Sequence, residues 1–138
     1  MAFLLDTNVV SELRRPNPNR TVVRWIEKVP TVDLFLSAVT IGEIQAGIEL
    51  TRQQDAEKAA EIETWLNRLA EGLAVLPMDA EAFREWARLK HRKSETLLED
   101  AMIAATARRH RLVVATRNVK DFRQLGVELI NPFKAGSK

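Results

Sequence analysis

Five acidic or amide side chains stand where the local pattern would let them do chemistry. Asp6 directly follows an apolar run at the start of the 138-residue chain, and Asn118 and Asp121 follow another such run. Glu43 and Asp100 each fall within the first turn or so of a predicted helix. Carboxylate oxygens, together with water and substrate phosphate, are the ligands that suit Mg²⁺ or Mn²⁺. These residues are therefore candidates for a hard-cation site.

Each candidate also has an ordinary structural explanation. Asp6 and Asn118 are of the residue types that cap helix N-termini. Glu43 completes a capping-box pattern that begins at Thr40. Asp100, in the first turn of its helix, is favourable for the helix dipole. For any one of these residues taken singly, the structural explanation is the commoner one.

The helical spacing of two of the acids favours an inward direction. Their neighbours on the same faces are Leu97, Ala104 and Ala107 for Asp100, and Val39, Ala46, Gly47 and Leu50 for Glu43. An unpaired charge that points inward is costly unless something compensates it. A bound divalent cation is one such compensation. The alternative is pairing with arginines, for which Arg14, Arg15 and Arg117 are available.

Short apolar runs that alternate with helical patterns predict the elements that position these side chains. The predicted strands cover residues 2–5, 32–36, 73–76, 112–115 and 127–130. The predicted helices cover residues 7–13, 21–28, 40–50, 55–71 and 80–92, then one from a capping box at Thr96 and Glu99 to about His110, and a short turn after Asn118. This alternation predicts an α/β fold, with a mainly parallel sheet of four to five short strands and helices on both faces. In such folds the functional crevice lies at the carboxyl ends of the strands.

Several function classes are excluded by what the chain lacks. It has no cysteine and neither a GxGxxG nor a GxSxG motif, which argues against thiolate chemistry, dinucleotide binding and a nucleophile elbow. His91 and His110 lie in basic stretches, and we expect them at the surface without a catalytic role. The aromatic residues at apolar helical positions are expected in the core; they are Trp25, Trp65, Phe83 and Trp86.

Composition and charge indicate one globular domain of ordinary type. The chain is 46% hydrophobic and 29% charged. No apolar run approaches the roughly 20 residues of a membrane helix, no export signal is evident, and the absence of cysteine fits a reducing compartment, so we expect a cytoplasmic protein. The net charge of +2 combines −6 over residues 31–80 with +6 over residues 81–138. Such asymmetry is compatible with a polyanionic partner.

Four motifs in register resemble those of the PIN-domain family. They are Leu4-Leu5-Asp6-Thr7-Asn8 with Ser11-Glu12, Leu36 to Glu43 with Gly47, Asp100 to Ala107, and Ala115-Thr116-Arg117-Asn118 with Asp121-Phe122. Together they span almost the whole chain, and the branch they resemble most is that of the VapC/FitB-like ribonuclease toxins of type II toxin–antitoxin pairs. The resemblance implies a PIN domain over residues 1–133 and a flexible C-terminal tail over residues 134–138.

The resemblance further implies an endoribonuclease that depends on Mg²⁺ or Mn²⁺ and cleaves RNA, with tRNA as a possible target, by metal-activated water. By motif, Asp6, Glu43 and Asp100 are its three acids. Asp6 and Asp100 are the expected direct metal ligands, and Glu43 either binds through water or acts on the attacking water. Where the family often has a fourth aspartate, this chain has Asn118. Either Asn118 or Asp121 therefore fills that position, and whether the chain binds one or two metal ions is left undecided by the sequence.

Supporting residues and partners follow from the same resemblance. Thr7, Asn8 and Thr116 would support the acids. The basic residues expected to attract the RNA backbone are Arg14, Arg15, Arg117, Lys120 and Arg123, with Arg84, Arg88 and Arg92 farther away. The expected partners are a cognate antitoxin, the RNA substrate and a second copy of the chain in a homodimer, with a higher assembly on the antitoxin and no membrane.

Two other functions compete with this one. The first is a catalytically weak or inactive PIN-like module that binds RNA or protein, and the amide at Asn118 is its motivation. The second is a phosphoacceptor signalling domain, which shares the α/β layout. It is disfavoured because the third strand ends in Leu76-Pro77 and offers no acceptor aspartate.

Overall fold

The computed structural model describes residues 1–91 and 98–134 of the chain. The strands are β1 (Phe3–Leu5), β2 (Leu34–Ser37), β3 (Ala74–Leu76), β4 (Val113–Ala115) and β5 (Leu129–Ile130). The helices of the described part are α1 (Thr7–Arg14), α2 (Arg20–Lys28), α3 (Ala38–Arg52), α4 (Ala56–Gly72), α5 (Ala80–Lys90), α6 (Leu98–His110) and α7 (Val119–Arg123). Strands alternate with helices along the chain, which confirms the predicted α/β class.

The strands form one parallel sheet with the order β3-β2-β1-β4-β5. β1 is the central strand, with Leu4 paired to Phe35 on one side and to Val114 on the other. The chain builds β2 and β3 on one side of β1 and then crosses over to build β4 and β5 on the other. The direction of winding therefore reverses between β1 and β4. In open parallel sheets, ligands bind outside the carboxyl ends of the strands at this switch point.

Two hydrophobic cores cover the two faces of the sheet. Phe3 and Leu5 of β1 belong to the first core, with side chains from α1 and α2. Leu4 belongs to the second core, with side chains from α6 and α7. Because successive residues of a strand point to opposite faces, β1 is buried on both sides. The backbone that leads into Asp6, the residue after β1, is therefore held in place by packing on both faces of the sheet.

All five strands begin later than the sequence pattern predicts, three of them by one residue and two, β2 and β5, by two residues. β2 begins at Leu34 because Val32 lies in a 3₁₀ turn, Thr31–Asp33, where its side chain is 81% exposed. β5 begins at Leu129, because the backbone pairing with β4 involves only Leu129 and Ile130. The carboxyl ends of both strands are where the pattern placed them or within one residue of it, so the predicted edge of the sheet is unchanged.

The aromatic residues largely follow the predicted core positions. Trp25 and Trp65 pack against the first core and Trp86 against the second. Phe83 is the exception, since its ring is 44% exposed and contacts Trp86 edge-on. His91 is exposed, as expected, and so is His110.

Some predictions fall on parts of the chain outside the described residues. Arg92, the capping residue Thr96 and the face residue Leu97 lie there, as do residues 135–138 of the predicted tail. Within residues 1–91 and 98–134, no helix combines the length and the apolar character needed to cross a membrane.

Candidate active site

Asp6 lies at the carboxyl end of the central strand, at the N-cap of α1. The residue is 4% exposed. Its Oδ1 accepts a hydrogen bond from the Thr7 N–H (2.8 Å), and its Oδ2 accepts bonds from the Thr116 hydroxyl (2.7 Å) and the Asn8 amide (3.2 Å). Thr116 follows β4 directly, so these contacts span the switch point between β1 and β4. Burial raises the pKa of Asp6, although the bonds from Thr116 and Thr7 oppose the rise.

Glu43 reaches the same edge of the sheet from α3. Its Oε1 accepts a hydrogen bond of 2.8 Å from the Thr7 hydroxyl. Desolvation, a hydrogen bond with the Glu99 carboxyl and the charge of nearby Asp6 raise the pKa of Glu43 to about 7. A hydrogen bond between two carboxyl groups requires a proton on one of them. At neutral pH, Glu43 is therefore a group able to take or release a proton.

The capping-box explanation of Glu43 is wrong. α3 begins at Ala38, and its N-cap is Ser37, whose hydroxyl accepts a bond from the Val39 N–H at 3.0 Å. Thr40 lies inside the helix, fully buried, with its hydroxyl oxygen 3.0 Å from that of Thr7. Glu43 consequently has no capping role that would account for its position.

The prediction that Glu43 lies on an inward apolar stripe is also wrong. Leu50, at the end of that stripe, is 66% exposed, and Ala46 and Gly47 are exposed too. Glu43 is half-buried for a different reason, which is its contact with Thr7 of α1 and with Glu99 of α6. The tertiary approach of these helices therefore creates the environment of this carboxyl.

Asp100 occupies the first turn of α6 and is half-buried. Its predicted face is confirmed in the described part of that helix, because Ala104 and Ala107 are fully buried. Burial, followed by the negative charges of Asp6, Asp121 and Glu99, raises the pKa of Asp100 to about 6. Asp6, Glu43 and Asp100 thus come from three separate elements to the same edge of the sheet, where they interact electrostatically.

Glu99 is a member of this group that sequence reasoning missed. The sequence pattern makes Glu99 the second half of a capping box that begins at Thr96, and Thr96 lies outside the described residues. Its hydrogen bond to Glu43 depends on the contact between α3 and α6. The sequence feature that indicates a role for Glu99 is its place next to Asp100 at the start of a helix.

Asn118 and Asp121 lie beside the acids at the start of α7. Asn118 occupies the N-cap position without a capping bond from its side chain, which is exposed. Its backbone N–H donates to the Thr116 hydroxyl at 2.9 Å. Asp121 is close enough for its charge to raise the pKa of Asp100. Of the two residues proposed for the fourth position, Asp121 is the one that acts on the acidic cluster electrostatically.

Two of the three arginines available to neutralise the acids are engaged elsewhere. Arg15 and Arg117 both pair with Glu12, at 3.3 and 3.7 Å. None of the ion pairs formed among residues 1–91 and 98–134 includes Asp6, Glu43 or Asp100. Compensation by arginine, the structural alternative, is therefore not used in the described part of the chain.

The donor set fits a hard cation that keeps part of its water shell. In the described residues, no three Asp, Glu or His side chains are arranged to hold a metal ion by themselves. Mg²⁺ does not need such a cage, because it retains several waters and binds one or two carboxylates plus substrate phosphate. The raised pKa values of Asp6 and Asp100 arise from burial and, for Asp100, from neighbouring negative charge. A bound cation would relieve both effects.

A basic groove adjoins the acids at the outer edge of the sheet. Its volume is about 690 Å³, and its charged and amide lining residues are Arg117, Asn118, Lys120, Asp121, Arg123, Asn131 and Lys134. Arg14, on the other side, lines a smaller cavity of about 250 Å³ with Thr7 and Glu43. Cationic side chains therefore flank the acidic cluster, an arrangement that suits a polyanion whose phosphate lies at the acids.

Comparison with known proteins identifies the family of this chain. The family model of the PIN domain matches residues 3–128. The chain therefore belongs to the PIN-domain family, as its motifs predicted. Among its relatives, Toxin FitB of Neisseria gonorrhoeae is 35% identical over 137 residues, which cover 95% of this chain and 98% of FitB. The VapC ribonuclease Y4jK of Sinorhizobium fredii is 37% identical over 143 residues, which cover 96% of this chain and 98% of the relative.

Solved structures give the same result for the fold. The crystal structure of FitAcB from Neisseria gonorrhoeae superposes with a TM-score of 0.85 at 34% identity, covering 95% of this chain and 98% of that chain. A structure of FitAB bound to an IR36 DNA fragment superposes with a TM-score of 0.81 at 34% identity, covering 96% of each chain. The single α/β domain of the PIN type is thus confirmed.

Proposed function

We propose that this chain is the toxin of a type II toxin–antitoxin pair and acts as a metal-dependent endoribonuclease. The observation that carries the proposal is the convergence of Asp6, Glu43 and Asp100 at the carboxyl edge of the sheet without arginine partners among the described residues. The names of its relatives, a toxin and a VapC ribonuclease, support the same function. RNA rather than DNA as substrate is inferred from those names.

In this proposal, Asp6 and Asp100 are the residues that would hold Mg²⁺ or Mn²⁺. When bound, the ion supplies an acidified water and screens the charge of the scissile phosphate. Asp6 is oriented for this task by Thr7, Asn8 and Thr116, which fix both of its oxygens. The Glu43 carboxyl, oriented by the Thr7 hydroxyl, accepts a proton from the attacking water. A general base works best when its pKa lies near the working pH, and burial and Glu99 place that of Glu43 at about 7.

We assign the fourth position of the acidic set to Asp121 rather than Asn118. Asp121→Asn is expected to lower the cleavage rate by roughly 10-fold or more, the scale of a lost outer ligand. Asn118→Ala should lower it by less than about 3-fold, since an exposed neutral amide adds little charge. The check is the rate constant of RNA cleavage, with Asp55→Asn, at the N-cap of α4, as the matched control. A larger loss in Asn118→Ala than in Asp121→Asn would overturn the assignment.

The positive side chains near the acids are proposed to bind the RNA backbone. Lys120 and Arg123 line the groove on the α7 side, together with Arg117, and Arg14 lies on the α3 side. Arg84 and Arg88 lie on α5. Phosphate contacts position a nucleic acid without reading its sequence, so these residues set affinity rather than the choice of target.

The proposed protein partners are a cognate antitoxin and a second copy of the chain. Complexes of FitAB and of VapBC, some of them with DNA, are among the solved structures of this fold. An arginine from such an antitoxin could pair with Asp6 or Asp100 in place of the cation. We propose a cytoplasmic location, where a tRNA substrate is found.

The purified chain is expected to cleave tRNA in the presence of Mg²⁺ or Mn²⁺. EDTA should slow cleavage by at least about 100-fold, because the acids alone repel the phosphate and cannot acidify water. Readdition of Mn²⁺ should restore the rate. Cleavage is followed on denaturing gels, with the heat-treated preparation as control. If the metal-loaded chain binds tRNA but leaves it intact, the inactive binding module is the correct function instead.

A further inference from the structure

Glu12 is a buried acid that the proposed chemistry does not use. Its side chain, on α1, is only 6% exposed. Its Oε2 accepts a hydrogen bond from the Asn19 backbone N–H at 2.8 Å, and its Oε1 lies 3.3 Å from Arg15 Nη1 and 3.7 Å from Arg117 Nη2. One carboxylate therefore joins α1, the start of α2 and the segment after β4. Through Arg117, in the segment after β4, Glu12 contacts the edge of the site.

Arg117 is held from three directions. Its guanidinium carbon lies 3.8 Å from the centroid of the Phe133 ring, and Glu12 approaches one of its terminal nitrogens. Its backbone N–H donates to Asn8 Oδ1 at 3.2 Å, and the same Asn8 side chain donates to Asp6. The side chain nevertheless stays 53% exposed. Arg117 is thus tied to the acidic cluster through its backbone while its cationic end stays accessible.

Arg117 lies where the basic groove meets the acidic cluster. It is one of the residues that line the basic groove, and it directly follows Thr116, which bonds Asp6. A guanidinium that is stacked on a ring and paired on one edge keeps its other N–H groups free in a fixed plane. That geometry matches two oxygens of a phosphate. A side chain fixed before binding also loses less conformational freedom when the ligand arrives.

We propose that Glu12 is a positioning residue that holds Arg117 against Phe133, so that Arg117 binds the RNA phosphate next to the one at the acidic cluster. The inference rests on the proposed function, since it needs RNA at the site. It differs from a purely structural role of Glu12 in acting on substrate affinity through Arg117. The effect of Glu12 should therefore disappear when Arg117 is absent.

The test compares Glu12→Gln, Arg117→Ala and the double variant in the full chain. Glutamine keeps an oxygen for the Asn19 N–H while removing the charge that attracts Arg117. Glu63→Gln is the matched control, because Glu63 also pairs with an arginine, Arg52 at 3.0 Å, and Arg52 is not among the residues proposed to bind RNA. The probe is a fluorescein-labelled mixed-sequence single-stranded RNA. The readouts are kcat and KM with Mn²⁺, and anisotropy binding in EDTA over a range of KCl concentrations.

Arg117→Ala is expected to raise KM about 10-fold with kcat changed less than about 2-fold, as for a lost ground-state contact. For this variant, the slope of log K against log salt concentration should become less steep by roughly 0.7, which is the contribution of one phosphate contact on a single strand. Glu12→Gln should raise KM about 3-fold in the parent and leave it unchanged in Arg117→Ala, the signature of coupled residues. Glu63→Gln should match the parent.

Two results for Glu12→Gln would overturn the inference. One is an effect of Glu12→Gln that adds to that of Arg117→Ala. The other is a fall in kcat and Tm in Glu12→Gln with the salt slope and KM unchanged, which would make the role structural. If the parent cleaves RNA but Arg117→Ala changes neither KM nor the slope, this inference fails alone. If the parent binds RNA with the expected Arg117 dependence but never cleaves it, only the proposed function fails.

Discussion

Asp6→Asn is expected to lower RNA cleavage by at least about 100-fold, a loss on the scale of removing a key electrostatic group. Asparagine has nearly the shape of aspartate and can still accept the bond from the Thr7 N–H. It removes the negative charge that holds the cation at the switch point between β1 and β4. The measurement is the single-turnover rate constant on tRNA with saturating Mn²⁺, since this separates chemistry from binding.

The control for Asp6→Asn is Asp79→Asn. Asp79 is likewise an aspartate at a helix N-cap, and its carboxylate accepts a bond of 2.9 Å from the Ala82 N–H. Both variants should remain folded at room temperature, since each keeps the capping oxygen. Equal rates for the two variants would remove Asp6 from the site. An Asp6→Asn protein that is unfolded at room temperature would show instead that its charge is structural.

Glu43→Gln is expected to have opposite effects on activity and stability. Cleavage should fall by about 10²–10⁴-fold, the range typical of a lost general base. The metal-free protein should nevertheless become more stable at pH 8. The Glu43 carboxyl is charged there although burial, Glu99 and Asp6 oppose that charge. Glutamine keeps the acceptor for the Thr7 hydroxyl and removes the opposed charge.

The stability change has a defined pH window. In the folded chain the pKa of Glu43 is about 7, above the value of about 4.3 for glutamate in an unfolded chain. Between these two values the folded state binds more protons than the unfolded state, so the free energy of unfolding falls as pH rises. The full shift corresponds to about 3–4 kcal/mol, and partial exposure to water reduces the expected gain at pH 8 to about 1–2 kcal/mol.

The control for Glu43→Gln is Glu49→Gln on the same helix. Glu49 is exposed and pairs with Arg52 at 3.0 Å, and this pairing lowers the pKa of its carboxyl. Its replacement should not stabilise the chain at any pH. Thermal unfolding at pH 5 and pH 8 in EDTA measures both variants. A Glu43→Gln protein less stable than the parent at pH 8 would contradict the raised pKa of Glu43.

The local sequence pattern was sufficient for the position of Asp6. An apolar strand followed by a capping residue predicts its place directly, because strand and cap are both determined by adjacent residues. The same holds for Asp100, whose helical face is read from Ala104 and Ala107. The parallel sheet then follows from alternation of strands and helices, and with it the shared edge at which these two acids meet.

The environment of Glu43 could not be predicted in this way. Its predicted face ends at Leu50, which is 66% exposed, and its actual contacts come from Thr7 and Glu99 on two other helices. Such contacts depend on how α3, α1 and α6 pack, which is a long-range property of the chain. Glu12 is similar in part, because Arg15 lies only three residues along the chain but Arg117 comes near Glu12 only through the packing of the segment after β4.

The most direct test of a metal-dependent active site at the acidic edge is cleavage by two proteins purified in parallel. The chain and its Asp6→Asn variant are assayed on tRNA with Mn²⁺, then with EDTA, then with Mn²⁺ restored. The account predicts cleavage by the parent alone, lost with EDTA and regained with the metal. Equal cleavage by both proteins, or cleavage by the parent that persists in EDTA, would contradict it.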